Sequence, residues 1–423
     1  MKKRIIKKID TSKRNFLTGS ATLAGVAAAT SVLPISIAQA NHGNYESKGL
    51  PDFIKWKNRK ALIVHSKKGI ESHRTAIGES IITPIRNIYI RNNMPTMTDL
   101  QIGDRNKWKL SVEGVKQPKT FTLAQLKKLG QTTIATVLQC SGNGRGFFEH
   151  GPKGSQWRTG AAACIIWTGV PVKKVVSACG GIASGAKFMT CTGVDAPKDL
   201  DPKKATVERS VPVKVYKDAI LAWEMNGVPL PNAHGGPLRS IPPGYFGINN
   251  VKHLGKLAFT ETESDVKYMK TSYRISPIGK KGPEYPSCWE MPIKSWIVRP
   301  TEYVKAGKVQ IAGVAMGGTK KVKSVKVSID GGQSWKKAKF VGPDLGKYAW
   351  RQFVFEANLE PGNYNLASKA SAGSDTQPEL RYENRRGYAH NGWKDHSVNV
   401  EVCLLYTSPS PRDATLSRMP SSA

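Results

Sequence analysis

The stretch Thr136-Val-Leu-Gln-Cys-Ser-Gly-Asn-Gly-Arg-Gly-Phe-Phe148 brings a thiol off the end of an apolar, β-branched run and onto a glycine-rich loop. Residues 132–138 read as a buried strand. Gly142, Gly144 and Gly146 then let backbone approach a ligand closely. Arg145 can carry a planar cationic fork to the same place. Sulfur beside guanidinium suits a soft metal next to an anion. Against this stands the ordinary behaviour of an isolated cysteine, which packs as a small inert hydrophobe. A second set of residues lies in His234-Gly-Gly-Pro-Leu-Arg239 and Val251-Lys252. A His, an Arg and a Lys brought to one point would hold a phosphate. Taken singly, His234 reads as a turn residue.

Gln139-Cys140-Ser141-Gly142-Asn143-Gly144-Arg145 resembles the molybdenum-ligand loop of the sulfite oxidase family, and the resemblance extends over residues 84–400. It implies that Cys140 is the metal ligand, beside the dithiolene of one molybdopterin. Arg91, Arg145, Trp157 and Tyr273 match residues of that family's sulfite pocket. Arg386 is the nearest match to an arginine supplied by the second domain, with Arg385 competing for the role. His234, Arg239 and Lys252 match the residues around the pterin phosphate, and Asn92 and Asn93 adjoin the cofactor. Two departures bear on substrate. Asn93 stands where many relatives carry His, and Gly144 where animal enzymes carry Arg. The implied reaction is oxidation of sulfite to sulfate, with electrons passed to a c-type cytochrome. Within the family the alternatives are a sulfane dehydrogenase and a sulfoxide reductase. Outside it stands a secreted, non-enzymatic binding protein built on a β-sandwich. Relatives form homodimers, or pair with a cytochrome.

The 423 residues suffice for two domains. Sixty-four Lys and Arg against 31 Asp and Glu give a net charge of +33, of which +26 falls on residues 41–402. Such a charge attracts anions. Nucleic acid is the general expectation for a basic chain, but no helix-turn-helix, zinc-finger or aromatic RNA-binding signature occurs. The six cysteines, at 140, 164, 179, 191, 288 and 403, form no CxxC or CxxCH pair. A covalent c-type haem is therefore not expected, and the electron acceptor must be separate. Cys164, Cys179 and Cys191 sit in apolar surroundings that read as core, with a pairing among them left open.

Residues 1–40 read as an export signal. Lys2–Lys8 and Lys13-Arg14 are basic, Phe16–Ile37 is weakly apolar, and Ala38-Gln-Ala40 resembles a cleavage site. Ser12-Lys13-Arg14-Asn15-Phe16-Leu17 resembles a twin-arginine motif with Lys in the first twin position, which implies a periplasmic protein. The Ala and Gly content argues against a stable membrane span.

Residues 41–291 are expected to form an α+β catalytic domain. Residues 41–84 read as a polar arm, and Ile85–Ile90 as a strand. Trp108–Gly114 reads as a strand and turn, followed by a helix capped by Thr120 or Thr122. Ala161–Cys179 reads as two helices broken at Gly169-Val-Pro171. Lys187–Val194 and Ala219–Met225 read as strands. Residues 292–402 alternate apolar and polar residues as an all-β, immunoglobulin-like sandwich does. In it, Ser328-Ile-Asp-Gly-Gly-Gln-Ser-Trp335 resembles an Asp-box, a turn-forming device. Residues 403–423 match the translation of a sequencing adapter, so the expectation is that they are not native and that Cys403 has no role. An unbroken genomic reading frame beyond codon 402 that encodes this tail would refute that expectation.

Overall fold

The computed structural model describes residues 49–404. The export-signal reading, and the adapter reading beyond Leu404, fall outside these residues. Among the described residues, no helix is long and apolar enough to cross a membrane.

Strands dominate, and the helices are short. One five-stranded sheet runs Val228–Pro229, Ile220–Met225, Ala162–Pro171 and Thr132–Gln139, with Arg239–Ile241 joined to Ile220–Met225. A second runs Lys119–Thr122, Lys109–Glu113, Leu254–Thr260, Phe188–Gly193 and Glu208–Pro212. The helices Leu123–Lys128 and Val172–Ala178 add apolar residues to the core over this second sheet. The first begins at a capping box, in which Gln125 N–H donates to Thr122 Oγ1 at 3.2 Å and Thr122 N–H to Gln125 Oε1 at 2.7 Å. Of the two expected caps, Thr122 is the one used; Thr120 lies in the preceding strand.

Ala161–Cys179 corrects the sequence reading. Its first half is the ten-residue strand Ala162–Pro171, and only Val172–Ala178 is helical. The strand is central, flanked by Thr132–Gln139 and Ile220–Met225, and nine of its ten residues are buried, so both faces are covered. A strand covered on both faces loses polar alternation and reads like a buried helix.

Ile85–Ile90 is a second correction. Ile85–Asn87 forms a 3-10 turn, and only Ile90–Arg91 pairs as a strand. Buried Lys57 explains this. Its ammonium donates to Ile85 O at 2.6 Å and Ile88 O at 2.9 Å, taking carbonyls that a neighbouring strand would have used. The expected arm likewise contains a hairpin, Leu62–Ser66 with Gly69–Ser72, which Ile90–Arg91 extends to three strands.

The C-terminal region is the expected sandwich. A four-stranded sheet, Lys294–Arg299, Gly307–Met316, Arg351–Leu359 and Lys339–Val341, accompanies a six-stranded one built on Gly362–Ala372 and Val398–Cys403. Ile297, Val309, Ile311, Val325, Phe353, Leu366 and Val400 share one core. In the Asp-box, Asp330 Oδ1 accepts from Ser328 Oγ at 2.6 Å and Ser334 N–H at 2.9 Å, and Trp335 packs on Trp393. The box is structural, as its sequence suggests. Cys403 ends the last strand through backbone bonds that any residue could make.

A further cluster joins the sandwich to the α+β region. Phe246, Tyr273, Trp296, Trp350 and Tyr388 lie in it, and Trp350 Nε1 donates to Ile81 O at 2.8 Å.

Replacing Thr122 by Ala is expected to lower stability by about 1 kcal/mol in urea unfolding, with Thr122→Ser close to wild type.

Candidate active site

Residues from seven separate stretches of the chain, between Tyr89 and Tyr273, line one cleft of about 740 Å³, open solvent at its mouth included. Cys140 lies on its wall, 8% exposed and unpaired. It directly follows the strand Thr132–Gln139, and the loop after it is tightly held. Asn143 N–H donates to Cys140 O at 2.9 Å. The Asn143 side chain accepts from Ala161 N–H at 3.0 Å and donates to Gln139 Oε1 at 3.1 Å. Such a clamp fixes a ligand's position by short-range bonds rather than by burial alone.

Arg91, Asn93 and Tyr273 line the cleft together. Asn93 Oδ1 accepts from Arg91 Nη2 at 2.9 Å and from the Tyr273 hydroxyl at 3.1 Å. Asn93 thus ties the guanidinium to the phenol. Burial works against the charge on Arg91, but Tyr273, Cys140, Tyr388 and Tyr268 together outweigh it and hold the group above its ordinary value. Tyr273 has φ +56° and stacks on Tyr388 at 5.4 Å, at an interplanar angle of 15°. A left-handed backbone at a bulky residue is strained and persists only where its surroundings enforce it.

The second group of expected residues also converges. His234, Arg239, Lys252 and Asn92 line the same cleft. Arg239 donates to His234 O and Asn250 O, each at 2.9 Å, and Lys252 Nζ to Ala233 O at 2.6 Å and to Asn92 Oδ1. Burial lowers all three groups, Arg239 to about 10 and His234 and Lys252 well below their ordinary values, so the imidazole is neutral. Neighbouring cations add to the effect on His234 and Lys252. His234 Nε2 is buried without a partner.

Clustered buried positive groups and an unmatched imidazole nitrogen are what an anion would satisfy. With a cysteine sulfur on the same wall, the donor set fits a molybdopterin: sulfur for the metal, cations and imidazole for the phosphate. Asp195, missed in the sequence, lines this cleft with a buried, unpartnered Oδ1, and burial raises its carboxyl to about 6. A lone Asp in Gly193-Val-Asp-Ala-Pro carries no local signal; only the fold places it here.

Three expected pocket residues do not line the cleft. Trp157 is fully buried behind the wall, edge-on to His65 at 5.2 Å and Tyr89 at 6.4 Å. Glu71 of the hairpin holds its loop by accepting from Arg158 N–H and Gly160 N–H, each at 2.8 Å. Arg145 is buried beneath the cysteine loop, donating to Arg386 O at 2.8 Å and Ser155 O at 3.0 Å. A side chain at Gly142 would clash with it, since a Cβ there would lie 2.4 Å from Arg145 Nη2. Arg386 meets Arg145 through its carbonyl rather than its guanidinium, and neither Arg386 nor Arg385 lines the cleft. Arg145 is thereby drawn to main-chain acceptors instead of the cavity.

Comparison with known proteins gives the family of the chain. A family model described as an oxidoreductase molybdopterin binding domain matches residues 97–268. One described as a Mo-co oxidoreductase dimerisation domain matches residues 285–403. The mitochondrial sulfite oxidase of Rattus norvegicus is 32% identical over 369 residues, covering 81% of this chain and 66% of that protein. The chain belongs to the sulfite oxidase family. Sulfite oxidase of Arabidopsis thaliana is 26% identical over 372 residues, covering 79% of this chain and 92% of that one. The sulfane dehydrogenase SoxCD from Paracoccus pantotrophus has the same fold, with a TM-score of 0.67, 24% identity and coverage of 88% of this chain and 98% of that one. The chain spans about two thirds of the rat protein's length.

Two outcomes follow from the charges in the cleft. The raised Asp195 carboxyl makes the folded chain hold a proton that the unfolded chain releases near its ordinary 3.8. Its contribution to stability should therefore fall as pH rises from about 4 to about 6, and Asp195→Asn should remove that decline in urea unfolding of the cofactor-free protein. Inorganic phosphate should raise Tm of the cofactor-free protein, and Lys252→Met should abolish the rise.

Proposed function

We propose that this chain oxidises sulfite to sulfate at a molybdenum–molybdopterin site held by Cys140, and passes the electrons to a c-type cytochrome. The single observation carrying this reading is the cleft that joins the Cys140 thiol to two cationic groups of residues. One suits a small oxyanion; the other has an orphaned imidazole suited to a phosphate. The balance is sulfite plus water giving sulfate, two protons and two electrons.

The bound group supplies the oxygen atom and takes up the electron pair. Within the protein, the Cys140 sulfur would hold the metal at a fixed point of the wall. Arg91 opposes the substrate's negative charge, and Asn93 fixes its guanidinium in place. The Tyr273 hydroxyl lies on the same Asn93 oxygen, so cation and phenol can meet one substrate together. Donors fixed in advance need little reorganisation when charge shifts to the bound anion. His234, Arg239 and Lys252 would bind the phosphate end. Arg145 and Trp157 act from behind the wall, supporting the cysteine loop and the face next to it.

The basic surface suits an acidic electron acceptor, and the dimerisation-type sandwich suits either a second copy or a cytochrome subunit. Residues 1–40 support a periplasmic location by the twin-arginine route.

Purified protein is expected to contain molybdenum by elemental analysis and to reduce cytochrome c with sulfite. Arg91→Gln should lower kcat/KM by about 100-fold. Cys140→Ser should abolish turnover while circular dichroism shows the fold intact. A fully active Cys140→Ser protein would defeat the proposal. Faster turnover of thiosulfate-derived sulfane sulfur than of sulfite would move the reading to sulfane dehydrogenase.

A further inference from the structure

The cysteine loop is held from outside its own sheet. Ser141 O accepts from Ala389 N–H at 2.9 Å, Asn143 O from Lys294 Nζ at 3.1 Å, and Arg386 O accepts from Arg145 Nε at 2.8 Å. Gly144 faces the His390 ring, where a Cβ would lie 2.6 Å from Cγ. All four outside residues lie in the C-terminal part of the chain, from Lys294 to His390. Ala389 makes its bond from a left-handed backbone, φ +55°, which an alanine adopts only under constraint.

Lys294 stands apart among these contacts. It opens the first long strand of the sandwich and is fully buried. Its ammonium sits 5.7 Å from the Trp296 ring centroid, and it makes no ion pair among the described residues. The charged and titratable groups around it are Arg74, Arg381, Asp395, His390 and His396. Asp395 is already bound to Arg381 at 2.8 Å and His390 Nε2 at 2.7 Å. His396 Nδ1 lies 2.6 Å from Gly392 O. Burial is the largest influence on both imidazoles and keeps them below their ordinary values, so neither adds a charge. His390 Nδ1 and His396 Nε2 are buried acceptors without partners. The lysine lies behind the loop while its carboxylate neighbour is shared with other groups. Burial pushes its ammonium down to about 7, as expected without a close counter-charge, so it is cationic below that pH and gives up its charge above it.

The uncommitted negative charge would be on the far side of the loop. Lys294 bonds Asn143 O, and Asn143 N–H bonds Cys140 O. Two hydrogen bonds thus separate this ammonium from the main chain of the proposed metal ligand. We infer that Lys294 is a positioning residue that presents a buried positive charge to the Cys140 loop and raises the reduction potential of the centre held there. A positive charge in a low-dielectric interior favours the state with added electrons. The inference rests on the molybdenum reading of the site.

The test is EPR-monitored redox titration of the Mo(V) signal in the holoprotein, run well below pH 7 so that Lys294 carries its charge, with molybdenum content measured on the same samples. Lys294→Met removes charge and donor. Lys294→Gln removes the charge and keeps a donor. Both should lower the midpoint potentials. Asp395→Asn removes the negative charge beside the lysine and should shift them upward. Opposite signs from the two sites are the expected result, because general loosening of the loop has no reason to follow the sign of the charge removed. Unchanged potentials with full molybdenum, shifts of the same sign at both sites, or an effect of Met without one of Gln would overturn the inference. If Lys294→Met fails to fold, Lys294→Gln, which keeps a donor for Asn143 O, decides. Wild-type protein without molybdenum would overturn the proposed function itself; normal molybdenum with unmoved potentials would overturn only the role of Lys294.

Discussion

The constraint on which the site depends is buried positive charge without enough buried negative charge to match it. Arg239 and Lys252 meet at one end of the cleft, where their partners are backbone carbonyls and an asparagine oxygen, beside a His234 imidazole whose Nε2 has no partner. Lys57 and Lys294 follow the same pattern, each bonded to main-chain oxygen. Carbonyl dipoles make such groups tolerable without neutralising them. An anionic cofactor and an anionic substrate would complete what the fold leaves positive. The stability of this protein and its capacity to bind are therefore coupled through the same side chains.

Strain in the backbone is found around the same cleft. Of the four non-glycine residues with left-handed backbone among the described residues, Tyr273 and His253 line the cleft and Ala389 bonds the cysteine loop. Each is held by bonds from other segments. Cys288 N–H donates to Tyr273 O at 2.8 Å, and His253 N–H to Gly235 O at 3.0 Å. The surrounding sheets thus enforce a geometry that the local sequence would not choose.

The two halves of the described chain are not a catalytic unit with an inert appendage. The shared aromatic cluster with Trp296, Trp350, Tyr273 and Tyr388 ties them by packing. The bonds to Ser141, Asn143 and Arg145 tie them at the loop that follows the proposed metal ligand. Movement of the sandwich would be felt at Cys140 through contacts only one or two bonds long.

Much of this was legible in the residues. The strand before Cys140 shows its β-branched character, the Asp-box its turn chemistry, and the sandwich its alternation, because these signals are local. The resemblance in the cysteine loop and the His234–Lys252 stretch pointed to the right segments for the cleft. Other features escaped for physical reasons. Ala162–Pro171 reads as a helix because a strand buried on both faces has no polar side to display. Ile85–Ile90 fails as a strand because Lys57, almost thirty residues earlier, captures its carbonyls. Asp195 and Lys294 have ordinary neighbours in sequence; their burial and unmatched polar atoms arise from segments far along the chain. Arg145 and Trp157 carry the resemblance, yet which side of the wall they occupy was decided by main-chain acceptors and packing. The sequence by itself determined the fold class, the thiol and the cations available to the site. Only the tertiary structure decided which of them face one cleft, because burial and charge balance are properties of space around a side chain, not of its neighbours in the chain.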